Sequence, residues 1–545
     1  MFFGATDLMK AYQRKFVFVT SLLVVFLFVV GCDEPGGPDK WPTAAETTID
    51  VGTTIGSLAE VFAFDTIGVE GYGLVGGLQG TGSSQCPPRI RKYLEQYIKK
   101  QLPEHEMDID TLIGSNNTAV VLVEGAMPAA ASNNQYFDVR VTALARTQTT
   151  SLEGGWLYRC ELKAKGEMGR LRALADAEGP VYIDKIDSLK TDEKSGYILA
   201  GGTVLDKYKI YISLRQPDYR TASAIRNRLN ERFGDETAKA VSHNQVELSV
   251  PAEYTGQKHR FISIVSAMYL AETRQITSQR IETFVDRLAF SQDKQASEIA
   301  LEAIGNESLS KLAVLLNLNN EEVRLRAARC MLNLGSGRGL ETLREMAMDK
   351  NSPYRLEALE AITLSANRND ATAIARKLLR DENFDIRLAA YENLRKLDDI
   401  AVTQKLIGRN FYLEQVTLMK DKTIYVSRSG QPRIVLFDAP IYCRDNIFIQ
   451  SANGSITINA PAGQQYVSIL YKHPKRPDVV IPLKSSFRID ELIEKLCEEP
   501  IVETDRETRG LNVSYADVIA LLKQMSDKNA VQAEFRAGPL PKIGL

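Results

Sequence analysis

The 545-residue chain has almost no net charge, since 67 basic side chains stand against 69 acidic ones. Without an excess of one sign, no long-range field attracts nucleic acid or an anionic membrane surface. Histidine is scarce as well: the chain has four, and none is spaced like the ligands of a metal site. The sequence therefore predicts no nucleic-acid partner and no bound metal.

The sequence also lacks the patterns that mark catalysis. Its six cysteines form no CxxC pair, which argues against structural zinc. There is no nucleophile elbow and no Ser-x-x-Lys set. An acidic stretch from Glu104 to Asp110 surrounds His105, but it lacks the spacing and the glycine of a calcium loop, so a solvated loop is expected. We predict no catalytic site, no cofactor and no enzymatic activity.

The N-terminus carries an export pattern. Lys10, Arg14 and Lys15 precede Phe16–Val30, a run of 15 residues without a charge. As a helix this run is about 22 Å long, short for a bilayer core of roughly 30 Å. Val-Val-Gly-Cys32 ends it and resembles the lipobox of bacterial lipoproteins. We predict a lipoprotein signal peptide over residues 1–31 with lipidation of Cys32; the alternative is a simple membrane anchor with an incidental cysteine.

Export to an oxidising compartment would permit two disulfides and leave one thiol over. The pairings that fall within single predicted domains are Cys86–Cys160 and Cys443–Cys497, although sequence alone does not fix the connectivity. Cys330 lies on an apolar helical face and is expected to be a small buried hydrophobe.

A Pro- and Gly-rich stretch over residues 32–55 predicts a flexible tether, and a mixed region over 56–286 follows it. Alternation over Tyr136–Leu144, Tyr208–Leu214 and Gln245–Val250 is typical of half-buried strands. Apolar residues at helical spacing predict helices over Arg89–Gln101 and Tyr219–Phe233. Strands and helices interleave without regular βαβ spacing, so this domain is predicted to be α+β.

Residues 287–400 carry a repeat. Copies of one motif begin at Asn320, Asn351 and Asn383, 31 and 32 residues apart, and Ser291–Gly305 looks like a degenerate first copy. A fixed period of this length predicts a short α-solenoid, similar to HEAT-like repeats. Each asparagine is placed to cap a helix, and the arginine four residues later is placed to bond to the neighbouring repeat.

Residues 401–545 predict a small β-rich domain with terminal helices over Ile489–Cys497 and Tyr515–Ser526. The whole chain is therefore predicted to be a multidomain α+β protein. The short strand-like runs of this last domain are Thr423–Val426, Arg433–Phe437, Ile447–Gln450, Ser455–Asn459, Tyr466–Tyr471 and Val479–Leu483.

Gly71-Tyr-Gly73-Leu-Val-Gly76 matches the dinucleotide-binding pattern GxGxxG. That pattern requires a helix to begin at its third glycine, where the helix N-terminus holds a pyrophosphate. The chain instead continues Gly77-Leu-Gln-Gly80-Thr-Gly82, which is too rich in glycine for a helix. This segment predicts a tight loop or a subunit contact, not a cofactor site.

Five collinear segments over about 230 residues resemble the flagellar P-ring protein family. The first contains the glycine-rich segment, and its Gly-Thr-Gly82 is followed by Ser83 where the family has an acidic residue. A second departure is Thr147–Thr149, where the family usually has Asp-Ala. The segments are Ile67–Gly82, Asn117–Pro128, Phe137–Leu157, Ile212–Ile225 and Val246–Tyr254.

The resemblance implies a periplasmic ring of identical subunits around the flagellar rod, set in the peptidoglycan layer. The family normally lacks a lipid, helical repeats and a β-rich tail. The alternative is therefore a non-flagellar envelope lipoprotein that acts as a scaffold or binding module for a peptidoglycan or secretion complex. The residues expected to serve packing or assembly are Gly71, Gly73, Gly76, Gly77, Gly80, Gly82, Gly154 and Gly155.

Overall fold

The alternating segments of the first region form strands in the structure, a computed structural model that describes residues 52–62, 66–101, 108–128, 131–166, 172–186, 192–205, 209–271, 273–408, 410–417, 421–472, 480–499 and 511–543. The elements of this region are α1 (Ile55–Leu58), β1 (Ala59–Phe62), β2 (Thr66–Gly76), α2 (Pro88–Gln101), α3 (Ile109–Ile113), β3 (Ala119–Pro128), β4 (Tyr136–Ala143), β5 (Trp156–Ala164), β6 (Ala175–Pro180), β7 (Ser195–Val204), β8 (Ile210–Leu214), α4 (Tyr219–Phe233), β9 (Ala238–Ala240), β10 (Gln245–Leu248) and α5 (Lys258–Ala267).

Six antiparallel strands close into a barrel in the order β2-β3-β4-β7-β6-β5, and β5 pairs back with β2. The predicted alternation places Phe137, Val139 and Val141 of β4 in the barrel core. Closure pairs every strand on both sides, so the barrel has no free edge at which another chain could pair.

The other four strands form a separate antiparallel sheet in the order β1-β8-β10-β9. Helix α4 covers it and has the bounds that the sequence predicts. The Asp218 side chain caps its start by accepting from the Thr221 N–H at 2.8 Å, and Gly234, at φ 101°, ends it. Ile225 and Leu229 of α4 are completely buried against this sheet.

A run of helices follows, and neighbouring helices pack on one another. The predicted caps hold at Asn320 and Asn383, whose side chains accept from backbone N–H groups in the first helical turn. The prediction for Asn351 is wrong. Ser352-Pro353 follows it, the helix begins only at Arg355, and no side chain caps the start of this helix. The helices are α6 (Arg274–Phe290), α7 (Lys294–Ile304), α8 (Leu309–Leu315), α9 (Glu321–Asn333), α10 (Arg338–Met348), α11 (Arg355–Ser365), α12 (Arg368–Leu378) and α13 (Phe384–Lys396).

The predicted bond to the neighbouring repeat forms at one of the three recurring arginines, Arg355. Arg355 pairs with Asp381, just before the next copy, and Arg387 lies 3.4 Å from Asp421 in the following region. Arg324, in contrast, pairs with Glu321 of its own helix at 3.8 Å.

The last region contains two sheets, ordered β11-β12-β14-β13-β19 and β15-β16-β17-β18. Six of its strands match the predicted runs within a residue or two at either end, whereas β11, β12 and β19 were not anticipated. Its elements are β11 (Val402–Ile407), β12 (Phe411–Val416), β13 (Thr423–Val426), β14 (Arg433–Phe437), β15 (Ile447–Gln450), β16 (Ile456–Ala460), β17 (Val467–Lys472), β18 (Val480–Ser485), α14 (Ile489–Cys497), α15 (Tyr515–Asp527) and β19 (Glu534–Ala537).

The three predicted domains share their hydrophobic cores. Ile299 of α7 packs with the sheet of the first region. Tyr391 of α13 packs edge-on against Phe437 of β14, with ring centroids 5.3 Å apart. Tyr182 and Leu199 belong to the core of the last region. Accordingly, Gly52–Leu545 is one compact unit, and the domain boundaries remain predictions. Among the described residues, no helix combines the length and apolarity that a membrane span requires.

Candidate assembly site

Three of the singled-out glycines lie in β2, along its pairing with β5. A Cβ atom at Gly71 would overlap the backbone oxygen of Glu161. At Gly73 it would lie 2.8 Å from Leu157 Cδ1, and at Gly76 2.6 Å from the Tyr158 hydroxyl. Only at Gly71 is the obstacle backbone, so this glycine allows the two strands to pair closely; at Gly73 and Gly76 the obstacles are side chains of β5.

Two more are fixed in the same way. A Cβ at Gly82 would overlap the Thr118 carbonyl, and one at Gly155 would lie 2.5 Å from Val75 Cγ1. Both glycines are buried. The structure therefore assigns five of the eight glycines to packing within the subunit.

The other three are exposed and adopt left-handed backbone conformations. Their φ angles are 81° at Gly77, 91° at Gly80 and 70° at Gly154. No atom lies within 4 Å of a Cβ built at Gly80 or Gly154. Gly80 and Gly154 lie in surface turns, and their side-chain space is open to a neighbouring molecule.

Residues 77–84, which we call the glycine loop, run between two other chain segments. Leu78 N–H donates to the Asn117 carbonyl at 3.0 Å on one side. On the other side, the Thr81 hydroxyl donates to the Ser151 carbonyl at 2.9 Å, and Thr150 N–H donates to the Thr81 carbonyl at 2.8 Å. Bonds on both sides fix the conformation of the loop.

The two departures from the P-ring pattern contact each other. Ser83 is 1% exposed, and its hydroxyl oxygen accepts from the N–H groups of Gln85 and Gln148, both at 3.1 Å. Gln148 belongs to the departing segment Thr147–Thr149. Serine at this buried position gives these two N–H groups a neutral acceptor.

Two exposed aromatic side chains follow the Gly154 turn. Trp156 is 44% exposed and Tyr158 is 47% exposed. Neither residue is among the predicted assembly residues. Period-two alternation was the available signal, because Leu157 between them is completely buried. Exposed aromatic residues are enriched at protein interfaces.

Lys185 joins the Gly154 turn to the last region. Its ammonium group lies 2.5 Å from Glu153 and 2.8 Å from Asp517 of α15. Burial opposes the charge on Lys185, but Asp517 and Glu153 outweigh this effect and raise its pKa. Asp517 thus helps to hold the turn that carries Gly154.

The acidic stretch forms no metal site in its described part. Asp108 caps α3 by accepting from the N–H groups of Asp110 and Thr111; hydrogen bonds from Thr111 lower its pKa. Asp110 pairs with Arg91 at 3.3 Å. Residues 102–107, with His105, lie outside the described residues. Within the part that the structure describes, no three His, Cys, Asp or Glu residues are grouped as metal ligands would be.

The five cysteines in the described residues are free thiols, so neither considered disulfide is formed in the structure. Cys86 and Cys160 belong to different core clusters. Cys443 and Cys497 share a cluster but remain unpaired. Cys330 is completely buried, as expected. Cys32 lies outside the described residues, and its lipidation stays a prediction.

Comparison with known proteins gives a match over the barrel, the four-stranded sheet and the first helices: residues 54–323 match the family described as flagellar P-ring protein. The flagellar P-ring protein of Thermotoga maritima is 29% identical over 259 residues, 44% of this chain and 73% of that protein. That of Anaeromyxobacter dehalogenans is 30% identical over 246 residues, 42% of this chain and 64% of the relative. That of Albidiferax ferrireducens is 28% identical over 260 residues, which are 44% of this chain and 65% of the relative.

Over residues 54–323, the class of protein that this chain resembles is therefore a flagellar ring protein. The particular family to which this region is similar is that of the flagellar P-ring proteins, so the resemblance drawn from the five segments is confirmed. The match passes the predicted boundary at residue 286 and ends at the beginning of α9.

Proposed function

We propose that this protein is a structural subunit of a periplasmic ring that resembles the flagellar P ring around the rod, held to a membrane by lipid on Cys32. The match over residues 54–323 carries the proposal. The predicted export signal supports a periplasmic location, and the predicted lipobox supports a lipid anchor on Cys32. Peptidoglycan and the rod are the partners that the family resemblance suggests.

The proposed mechanism is geometric. A head-to-tail contact between identical subunits closes into a ring when the rotation per subunit divides the circle. The exposed turns at Gly80 and Gly154, together with Trp156, supply a surface with open side-chain space and an aromatic anchor. The glycines of β2 allow this strand to pair with β5, the strand that carries Trp156.

The second candidate is a non-flagellar envelope scaffold. The observation that favours it is the long part of the chain beyond residue 323, which the family match does not cover. In this case the P-ring-like part docks on an envelope complex, and the helical repeats bind a further protein. Flagellar rod and hook genes beside the gene favour the ring; their absence favours the scaffold.

The decisive experiment is to purify the membrane-bound protein and image its oligomers. We expect rings from the wild type, loss of rings in Trp156→Ser, and normal rings in the control Tyr219→Ser, because Tyr219 is 70% exposed on α4. A wild type that stays monomeric at every concentration would refute the ring. Membrane fractionation of Cys32→Ser tests the anchor separately, since this variant should leave the membrane fraction.

A further inference from the structure

A cavity of about 360 Å³ lies between helices α2 and α3 and strands β2 and β5. Leu74, Leu94, Ile98 and Leu112 supply apolar walls, and Gly73 contributes bare backbone. Its volume is in the range of small-molecule sites, which are mostly apolar with a few polar groups that orient the ligand. No local sequence pattern predicted this cavity, because its walls come from segments far apart in the chain.

One residue of the cavity lining carries a buried polar group without a partner. Tyr97, which lines the cavity, is 8% exposed, and its hydroxyl group has no hydrogen-bond partner among the described residues. Burial raises the Tyr97 pKa far above its usual value, so this hydroxyl group stays protonated and able to donate. A buried donor without an acceptor is unfavourable, and a ligand oxygen would relieve that cost.

The charges around the cavity narrow the class of ligand. The lining described by the structure contains no carboxylate, and its single charged side chain, Arg159, is bonded to Asp176. A cationic ligand would therefore find no counter-ion among the described lining residues. The fitting ligand has an apolar body and a neutral or anionic oxygen acceptor.

We propose that this cavity binds a single acyl chain. The methylene groups contact Leu74, Leu94 and Ile98, and a carboxyl or ester oxygen accepts from the Tyr97 hydroxyl group. At about 30 Å³ per water-sized group, a cavity of about 360 Å³ holds a chain of roughly a dozen such groups. This proposal does not depend on ring assembly, because the cavity lies within one subunit.

Titration of the full chain with dodecanoic acid tests the proposal by calorimetry. We expect saturable 1:1 binding, weakened about 2- to 12-fold in Tyr97→Phe, which removes only the donor. Ile98→Trp should abolish binding by filling the cavity. Tyr219→Phe, which removes an exposed hydroxyl elsewhere, should bind like the wild type.

Chain length gives a second measurement. Each methylene added between octanoic and dodecanoic acid should strengthen binding by up to about fourfold, since burial of one CH₂ corresponds to that ratio. Beyond roughly twelve carbons the gain should stop. Affinity that keeps rising to hexadecanoic acid would mean an open surface instead of a cavity of this size and would overturn the proposal.

An acyl chain could come from a free lipid or from the predicted lipid on Cys32. If it comes from Cys32, wild-type protein extracted from membranes should bind dodecanoic acid more weakly than Cys32→Ser. Equal affinities assign the site to a free lipid. Absence of saturable binding in both proteins overturns the proposal, as does binding that neither Tyr97→Phe nor Ile98→Trp affects. Ile98→Trp could also change the oligomeric state and leave the binding of dodecanoic acid unchanged. That result would mean that a side chain of a second copy fills the cavity, and it would overturn the proposal.

Discussion

The carboxylate of Asp138 in barrel strand β4 accepts a hydrogen bond from the backbone N–H of Gly430, with 2.8 Å between nitrogen and Oδ2. The two residues are 292 positions apart. Asp138 also accepts from the Ala200 N–H at 2.7 Å. Burial raises its pKa although both bonds act against this effect. One side chain therefore joins two barrel strands to the turn before β14.

Asp138→Ala should loosen the last region from the barrel. The substitution leaves two partly buried N–H groups without an acceptor, which we expect to cost about 1–3 kcal/mol. Hydrogen exchange should show faster exchange at Gly430 and Ala200, and the thermal midpoint should fall. The exposed Asp235→Ala is the matched control and should leave both unchanged. Unaltered exchange at Gly430 in Asp138→Ala would contradict the docking role of this carboxylate.

Gly71 and Gly80 should respond differently to alanine. In Gly71→Ala the new methyl group overlaps the backbone of β5, so we expect the barrel to be disrupted and soluble yield to fall. In Gly80→Ala the space is open and only the positive φ is unfavourable, at about 1 kcal/mol. Circular dichroism and thermal melting distinguish the two. A folded Gly71→Ala with wild-type melting would show that β2 and β5 pair differently.

Glu298 of α7 is completely buried and pairs with Arg260, Arg326 and Arg329, at 2.7, 3.1 and 2.6 Å. Arg260 belongs to α5, whereas the other two belong to α9. Burial favours the neutral acid, but the arginines outweigh it and lower the Glu298 pKa. The cluster therefore joins α5, through α7, to α9.

Glu298→Gln should lower stability by about 1–3 kcal/mol at neutral pH, because Arg329 loses its carboxylate partner, whereas Arg260 and Arg326 keep Glu302 and Glu322. The pKa of Glu298 is lower in the folded protein than the value of about 4.3 expected in the unfolded chain. The ionised carboxylate therefore contributes its full stabilisation above about pH 4.3, and this stabilisation is lost as the pH falls through the folded-state pKa. The difference in thermal midpoint between wild type and variant should therefore shrink below about pH 4. The exposed Glu307→Gln should melt like the wild type, and a pH-independent difference would rule out this origin.

Thiol labelling distinguishes the free cysteines of the structure from the disulfides that the sequence permits. Burial raises the pKa values of Cys160, Cys443 and Cys497 to about 12, so few thiolates form at pH 8. Among the described cysteines, we expect only the half-buried Cys86 to react in the folded protein, and all five to react after denaturation without reductant. Mass spectrometry of the labelled chain counts them. Two thiols that stay unlabelled until reduction would establish a disulfide.

The local elements were predictable because their signals are local. Asp218, the apolar spacing of α4 and Gly234 define that helix within one segment, and β13, β14 and β15 have the predicted bounds. Asn351 shows the limit: the repeat aligned it with Asn320 and Asn383, but the following Ser-Pro changed where the helix begins.

The sequence by itself determined the strands and helices, the glycine-rich segment and the family resemblance, because each depends on residues that are neighbours in the chain. Only the tertiary structure decided that the barrel closes between β2 and β5, which splits the glycines into buried packing positions and open turns. It also decided that Asp138 bonds to Gly430 and that Tyr97 lines a cavity. Such contacts join segments whose local patterns carry no information about each other, so only the packed chain reveals them.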